Sequence, residues 1–318
     1  MQLTELSPEL ADAADVLSDQ LRNHLLRMAG IVEPHADAVD ASFVRTLARK
    51  NLNLKVRSAL LAIMPGAAAR MLASGVTTSG FIEEVEYHGR RLAKLNVPPS
   101  QIIQALQDYD RLLCPLLESL EASEFANMQW VREQLQFCTI LTLNNAYYQV
   151  REAETQAFYE LFRVELESRN LDELLRRFLQ TLMRVCRAEA AHLYLWGEGG
   201  PSRALLYAGS DSQGAVMAAS HTSVSGRIAR RLAHSKQIDP QGKDSDLILD
   251  SDWRSKSRWC WSVPLAVGDR MSGVMQFGFA KPYEWLPREQ DLLLGAAERC
   301  LLAAEKARLV ENLAAREE

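Results

Sequence analysis

Apolar side chains recur every three or four residues through the first half of the chain, with Ala, Leu, Arg, Glu and Gln filling the turns between them. That is the helical period, so this half reads as helix after helix. The breaks are Pro65-Gly66, the stretch from Gly75 to Gly80, and Asn96-Val97-Pro98-Pro99-Ser100. At each of them proline or glycine ends one helix, and proline presets the backbone of the next first turn. They isolate a short helix over 81–95 and start a long one near 100. Residues 127–166 contain neither Pro nor Gly, while Trp130, Leu135, Cys138, Leu141, Tyr148, Phe158, Phe162 and Leu166 recur along them. This predicts one long helix leaving the first domain. Its charged residues, as in REAETQAFYELFRVELESRN, give it a wet face, and its apolar length beyond the first core needs a partner, for which a dimer mate is the natural candidate.

The period then changes. DELLRRFLQTLMRVC is helical, AAHLYLWGE alternates as a strand does, and ALLYAG returns beside it. SVSGRIARRLAHSKQ reads as a capped helix and PQGKDSDLILDSDWRSKS as a polar connection. CWSVPLAV and SGVMQFGFA read as an antiparallel pair turned at Gly268-Asp269, and a last helix starts after Pro287. Eleven of the sixteen glycines and five of the six tryptophans fall in this second part, which marks the change of architecture. Helices flanking one antiparallel sheet predict an α+β unit near 155–310.

With 318 residues and 47% apolar content the chain supports two ordinary domains. Lys plus Arg is 36 against 41 Asp plus Glu, a formal charge of -5, which argues against a broad electrostatic grip on nucleic acid. Arg227, Arg230, Arg231, His234 and Lys236 form a local basic face. With Val224, Ile228 and Leu232 between them, they read as the solvated side of an amphipathic helix. Five dispersed cysteines without a CxxC argue against a disulfide scaffold or structural zinc and fit reduced thiols in the cytoplasm. The first residues are acidic and polar, and no apolar run reaches the roughly 20 residues of a spanning helix, which argues against export and membrane insertion. No P-loop, HExxH, GxSxG or strand-linked GxGxxG occurs, so no catalytic centre is expected and the chain reads at most as a regulatory part of an enzyme. Asp269, Arg270, Glu289 and Asp291 read as turn and helix-start residues.

Ser262-Val263-Pro264-Leu265, Gly268-Asp269-Arg270, Gly273-Val274 and Trp285-Leu286-Pro287-Arg288-Glu289 follow one another in an order that resembles a GAF domain over most of residues 165–308. Physically, Gly273 lets a strand backbone pass closely and the Gly-Asp pair turns the chain. The resemblance implies sensing of a small molecule, a tetrapyrrole, nitric oxide or a redox state, or dimerisation alone. The sequence lacks the Asn-Lys-Phe-Asp-Glu signature of cyclic-nucleotide binders and a Cys-His pair for a bilin. Trp253, Arg258, Trp259, Cys260 and Trp261 form the candidate ligand or redox pocket. A cation near Cys260 would favour its thiolate at a pocket mouth; the alternative places Cys260 facing the sheet core.

The helix over 81–95, Asn96-Val97-Pro98-Pro99 followed by Ile102, and Leu143, Asn144 and Tyr147 in the last helix make the first half similar to globin-like bacterial sensor domains. That resemblance implies a heme-ligating histidine seven residues before the turn proline. The count from Pro99 falls on Leu92, and His88 lies one helical turn earlier. Either His88 ligates heme iron through a shifted register with Leu92 stacked beside it, or the domain is heme-free. His24 and His35 read as surface residues.

The expected fold class is thus multidomain, an all-α globin-like domain followed by an α+β GAF domain with an antiparallel sheet and flanking helices. The expected boundaries are 1–155 for the helical sensor, 156–310 for the GAF domain with signalling helices at both ends, and 311–318 for the start of a linker to an effector. The expected role is a cytosolic signal input that senses a small molecule, gas or redox state and passes a helix-packing change to an effector, first a histidine kinase. The alternatives are a ligand-free dimerisation or interaction scaffold, and the regulatory region of a diguanylate cyclase or transcription regulator. Expected partners are a second copy through the long helices, a covalently linked effector and a small molecule, without broad nucleic-acid or membrane binding. The cofactor stays open between heme and none.

Overall fold

The computed structural model describes residues 19–317 except 198, 211–215, 218–219 and 269, so the acidic first stretch and Asp269 of the expected turn lie outside the described residues. The chain divides into two compact units, Met1–Glu152 and Ala153–Glu318.

The first unit is all-α among the described residues: α1 (Asp19–Arg49), α2 (Leu54–Leu61), α3 (Pro65–Ala73), α4 (Thr78–Lys94), α5 (Pro99–Glu118) and the first part of α6 (Ala122–Glu167). Each sequence break is a helix boundary. The Asn53 side chain caps α2 by accepting from the Val56 N–H, Pro65 starts α3, and Pro99 starts α5 behind Asn96, whose φ is 60°. Helix α4 begins three residues before the expected 81, because the Thr77 hydroxyl accepts from the Gly80 N–H and caps it there. Phe43, Leu47, Leu60, Met64, Phe81, Leu92, Ile102 and Leu113 fill the core. Inside it the Tyr109 hydroxyl donates to Asp40 at 2.7 Å, and Arg70 meets the same carboxylate at 2.6 Å. Gly66 is required there, since a Cβ on it would lie 2.1 Å from the Tyr109 oxygen.

The second unit holds the last part of α6, then α7 (Leu171–Cys186), β1 (Ala190–Gly197), β2 (Gly200–Ser210), β3 (Ser220–Thr222), α8 (Gly226–Arg231), β4 (Lys236–Ile238), a short 3-10 turn Ser245–Leu247, α9 (Ser251–Ser255), β5 (Trp259–Val267), β6 (Arg270–Phe279) and α10 (Pro287–Glu317). The strands form one antiparallel sheet in the order β3-β2-β1-β6-β5-β4. Both faces are covered, so the two-residue strand period sends alternate side chains into two different cores. Leu193, Leu195, Trp261, Val263, Met275 and Phe277 pack under α7 and α10, joined by Leu161 and Val164 of α6. Tyr194, Trp196, Cys260 and Val274 pack under α8, the 3-10 turn and α9.

Two local expectations are corrected. The helix expected over SVSGRIARRLAHSKQ stops at Arg231, with no side-chain cap at Ser225, and Lys236–Ile238 instead pairs as an edge strand with β5. The stretch PQGKDSDLILDSDWRSKS is not merely a polar connection, because Leu247, Ile248 and Trp253 are buried in the second core. Short apolar patches in a polar run are invisible to helix or strand periodicity, yet a sheet with two apolar faces must be covered on both.

Candidate functional site

Three strands place a row of polar side chains on the face beneath α9. Gln276 of β6 stands in register with His192 of β1 on one side and with Ser262 of β5 on the other. All three are buried. Gln276 spends its amide on the loop above: its Nε2 donates to the Leu247 carbonyl at 2.7 Å, and its Oε1 accepts from the Leu249 N–H at 3.0 Å. The loop backbone, which has no ladder of its own, thereby satisfies two buried polar groups on a strand side chain.

The loop then delivers Asp250, whose carboxylate accepts from the Asp252 and Trp253 N–H groups and caps α9. The other Asp250 oxygen lies 3.4 Å from His192 Nδ1, which also stands 3.3 Å from the Tyr194 hydroxyl. The capped helix lays the Trp253 indole on the His192 ring, with centroids 4.3 Å apart and planes at 27°. Burial pushes the His192 pKa below the usual 6.5; Asp250 pulls it back in part and Arg258 adds to the fall. Burial first, then Asp250 and Cys260, push the Tyr194 phenol up.

The five residues of the expected ligand or redox pocket do not come together. Cys260 is fully buried and shares the core beneath α9 with Trp253, and burial raises its thiol pKa. A thiol in that setting is protonated and shielded, which is not a pocket mouth. Arg258 lies beside Trp253 across Gly278, where a Cβ would meet the Arg258 Cδ at 2.6 Å and the indole at 3.4 Å. Trp259 and Trp261 belong to the opposite face. Trp261 stacks on Trp285 with centroids 4.7 Å apart and donates its indole N–H to the Tyr283 carbonyl. Adjacent strand residues face opposite ways, so closeness in sequence among Trp259, Cys260 and Trp261 separates them in space. His192, Asp250, Ser262 and Gln276 escaped the sequence reading. For His192, Ser262 and Gln276 the signal is a single polar residue inside each apolar strand, in AAHLYLW, CWSVPLAV and VMQFGF; Asp250, in a polar run, carries no such mark.

In the first unit, Leu92 is fully buried in the core and His88 lies at its rim, 3.4 Å from Glu84 across one helical turn and edge-on to Tyr87. Burial lowers the His88 pKa, Glu84 raises it and Arg91 lowers it further. Between these two residues sits Gly89, where a Cβ would lie 2.9 Å from that of Ala146 and 3.1 Å from Leu143 Cδ2. Helix α4 therefore rests directly on α6. A porphyrin needs a slot with about 3.5 Å to each wall, and the residues around Leu92 and Gly89 fill that space, so they do not fit a heme. The motif residues of this half do meet, through the Tyr147 hydroxyl, which donates to the Val97 carbonyl of the proline turn at 2.6 Å.

Among the described residues no group of three or more His, Cys, Asp and Glu side chains is placed to hold a metal ion. No single described helix is long and apolar enough to cross a membrane; α2 and α3 together have the composition, bent by 53°, and their apolar residues form the first core.

An antiparallel six-stranded sheet between α7 and α10 on one face and short helices on the other forms an α+β module, and residues 170–303 match the GAF domain family. The chain thus carries a C-terminal GAF domain after an all-α region, and GAF domains are non-catalytic regulatory modules. Similar solved structures include the GAF domain of an Acinetobacter phosphoenolpyruvate-protein phosphotransferase, at 13% identity and a TM-score of 0.39 over 50% of this chain and 97% of that one. The corresponding domain from Coxiella burnetii has 12% identity and a TM-score of 0.40, covering 51% and 98% of the two chains. The A. aeolicus nlh2 GAF domain in an inactive state has 12% identity and a TM-score of 0.38, covering 49% and 97%. No curated protein matches the sequence at a significant level.

Proposed function

We propose that the protein is a dimeric signal-input chain in which the GAF domain regulates an effector through the helices that flank its sheet. The observation that carries this reading is the two-sided character of α6. Met128, Val131, Leu135 and Leu143 face the first core, while Trp130, Phe137, Leu141 and Tyr148 are exposed. The exposed set, spaced seven, four and seven apart, falls on the a and d positions of one heptad register, with Gln134 and Asn144 at the seam positions between them. In the second unit Phe158, Tyr159, Phe162 and Leu166 of α6 and Leu302 and Leu309 of α10 are exposed as well. Apolar rows of this length on a folded protein mark contact surfaces, and a second copy offers the same row in return.

On this reading the effector is of the kind the GAF resemblance implies, a histidine kinase before a diguanylate cyclase. The all-α unit is a globin-like domain without heme, supported by its proline-turn geometry and by the packing of α4 on α6. A second reading, the ligand-free dimerisation scaffold, is favoured by the core beneath α9, which the protein's own Trp253 and His192 fill. Sedimentation velocity across a concentration series tests the shared part: a dimer is expected, weakened by Phe137→Glu with Leu141→Glu and by Phe162→Glu with Leu166→Glu. A wild-type monomer at every concentration sinks both readings. A ligand that changes the dimer's helix contacts separates sensor from scaffold.

A further inference from the structure

At the end of the sheet away from the polar row, a cleft of about 580 Å³ opens between the end of β1, the start of β2, α8, the start of β6 and α10. That volume lies in the range of small-molecule sites. Among the described residues its walls carry three arginines from three separate elements, Arg230 of α8, Arg270 of β6 and Arg308 of α10, and one carboxylate, Glu305. Trp196, Met271 and Leu301 supply apolar lining, and Ser272 a hydroxyl.

The arginines differ from their neighbours in how their charge is used. Arg231, next along α8, is neutralised by Asp244 at 2.7 Å and by Asp246 at 2.5 Å. Among the described residues Arg230 meets only the Gly226 carbonyl of its own helix, and Arg270 and Arg308 form no ion pair. Cations brought together from separate elements repel one another unless an anion is bound between them, and guanidinium groups bind carboxylate and phosphate by paired hydrogen bonds. Space is available too, since a Cβ built on Gly226 at the cleft wall meets no atom within 4 Å.

We propose that this cleft binds a small organic anion, its phosphate or carboxylate held by Arg230, Arg270 and Arg308 and its flat apolar body lying along Trp196, Met271 and Leu301. This goes beyond the signalling reading: binding does not depend on it. Only the consequence does, namely that an occupant touching Leu301, Glu305 and Arg308 acts on α10, the helix that leads out of the domain.

Isothermal titration of the full chain with naphthyl phosphate and with naphthoate tests the site, with naphthol as the neutral counterpart. Saturable binding of at least one anion is expected, with naphthol at least tenfold weaker. Arg230→Gln with Arg270→Gln, both on exposed side chains, weakens the anion at least tenfold, while Arg231→Gln leaves it unchanged. Gly226→Phe, which keeps every arginine and occupies the open space, weakens it as well. Thermal melting confirms that each variant is folded. Absence of saturable binding by either anion, equal loss in Arg231→Gln, or undiminished binding in the double arginine variant or in Gly226→Phe overturns the proposal.

Discussion

The imidazole of His192 lies flat against the indole of Trp253, one from the middle of strand β1 and the other from a five-residue helix that exists because Asp250 caps it. The same carboxylate that starts the helix faces the imidazole, so the loop over residues 247–253 and the sheet are joined by one residue with two duties.

Acid should loosen this joint. The folded His192 pKa lies below the usual 6.5 because burial disfavours the imidazolium, while the unfolded chain takes up its proton near that value. Its contribution to stability is complete above that value. It falls as the pH drops from there towards the lower folded pKa, because the unfolded state then binds more protons. Urea unfolding of the wild type should therefore lose stability across this acid window, and His192→Gln should flatten that part of the profile. Identical slopes in the two proteins would show that His192 does not titrate as its burial requires.

The five thiols should divide by burial. Cys138 is exposed, whereas Cys186, Cys260 and Cys300 are buried, and burial pushes the Cys300 pKa up to about 12. Brief treatment of the native protein with N-ethylmaleimide, read by peptide mass spectrometry, should modify Cys138 and spare those three. Rapid modification of Cys260 would restore it as a redox candidate.

Gly273 should tolerate no side chain. A Cβ there would lie 2.3 Å from the Tyr194 carbonyl oxygen and 2.9 Å from Leu265 Cδ1, and the first of these is backbone in the sheet centre. Gly273→Ala should cost about 1–3 kcal/mol by forcing strands apart, measured by denaturant unfolding of the GAF domain in the full chain. A change within error would mean that β1 and β6 approach less closely than this.

Added hemin should give no His88-dependent Soret band, since α4 packs on α6 where a porphyrin would stand. Absorption spectra of the wild type and His88→Ala with hemin should match. A band present in the first and absent in the second would show that the pocket opens.

The sequence made some elements unmistakable. The proline and glycine breaks at Pro65-Gly66 and Asn96-Val97-Pro98-Pro99 became helix ends because those residues restrict or free the backbone locally, whatever surrounds them. The strands around Val263 and Val274 and the helix after Pro287 were legible for the same reason, as was the GAF resemblance built on them. The site was less so. Trp253, Arg258, Trp259, Cys260 and Trp261 are neighbours in sequence, but the pleat sends Trp259 and Trp261 to the other core from Trp253 and Cys260.

By itself, then, the sequence determined most of the long helices and the central strands, since periodicity, capping and turn residues act within a few positions of themselves; the short covering elements after Ser225 depended on the sheet they cover. Which side chains meet was decided only by the tertiary structure. His192 finds Asp250 and Trp253, and Gln276 finds Leu247 and Leu249, across tens of residues, because antiparallel register sets the rows of a sheet and a covering loop must pair its buried backbone with whatever polar group that row presents.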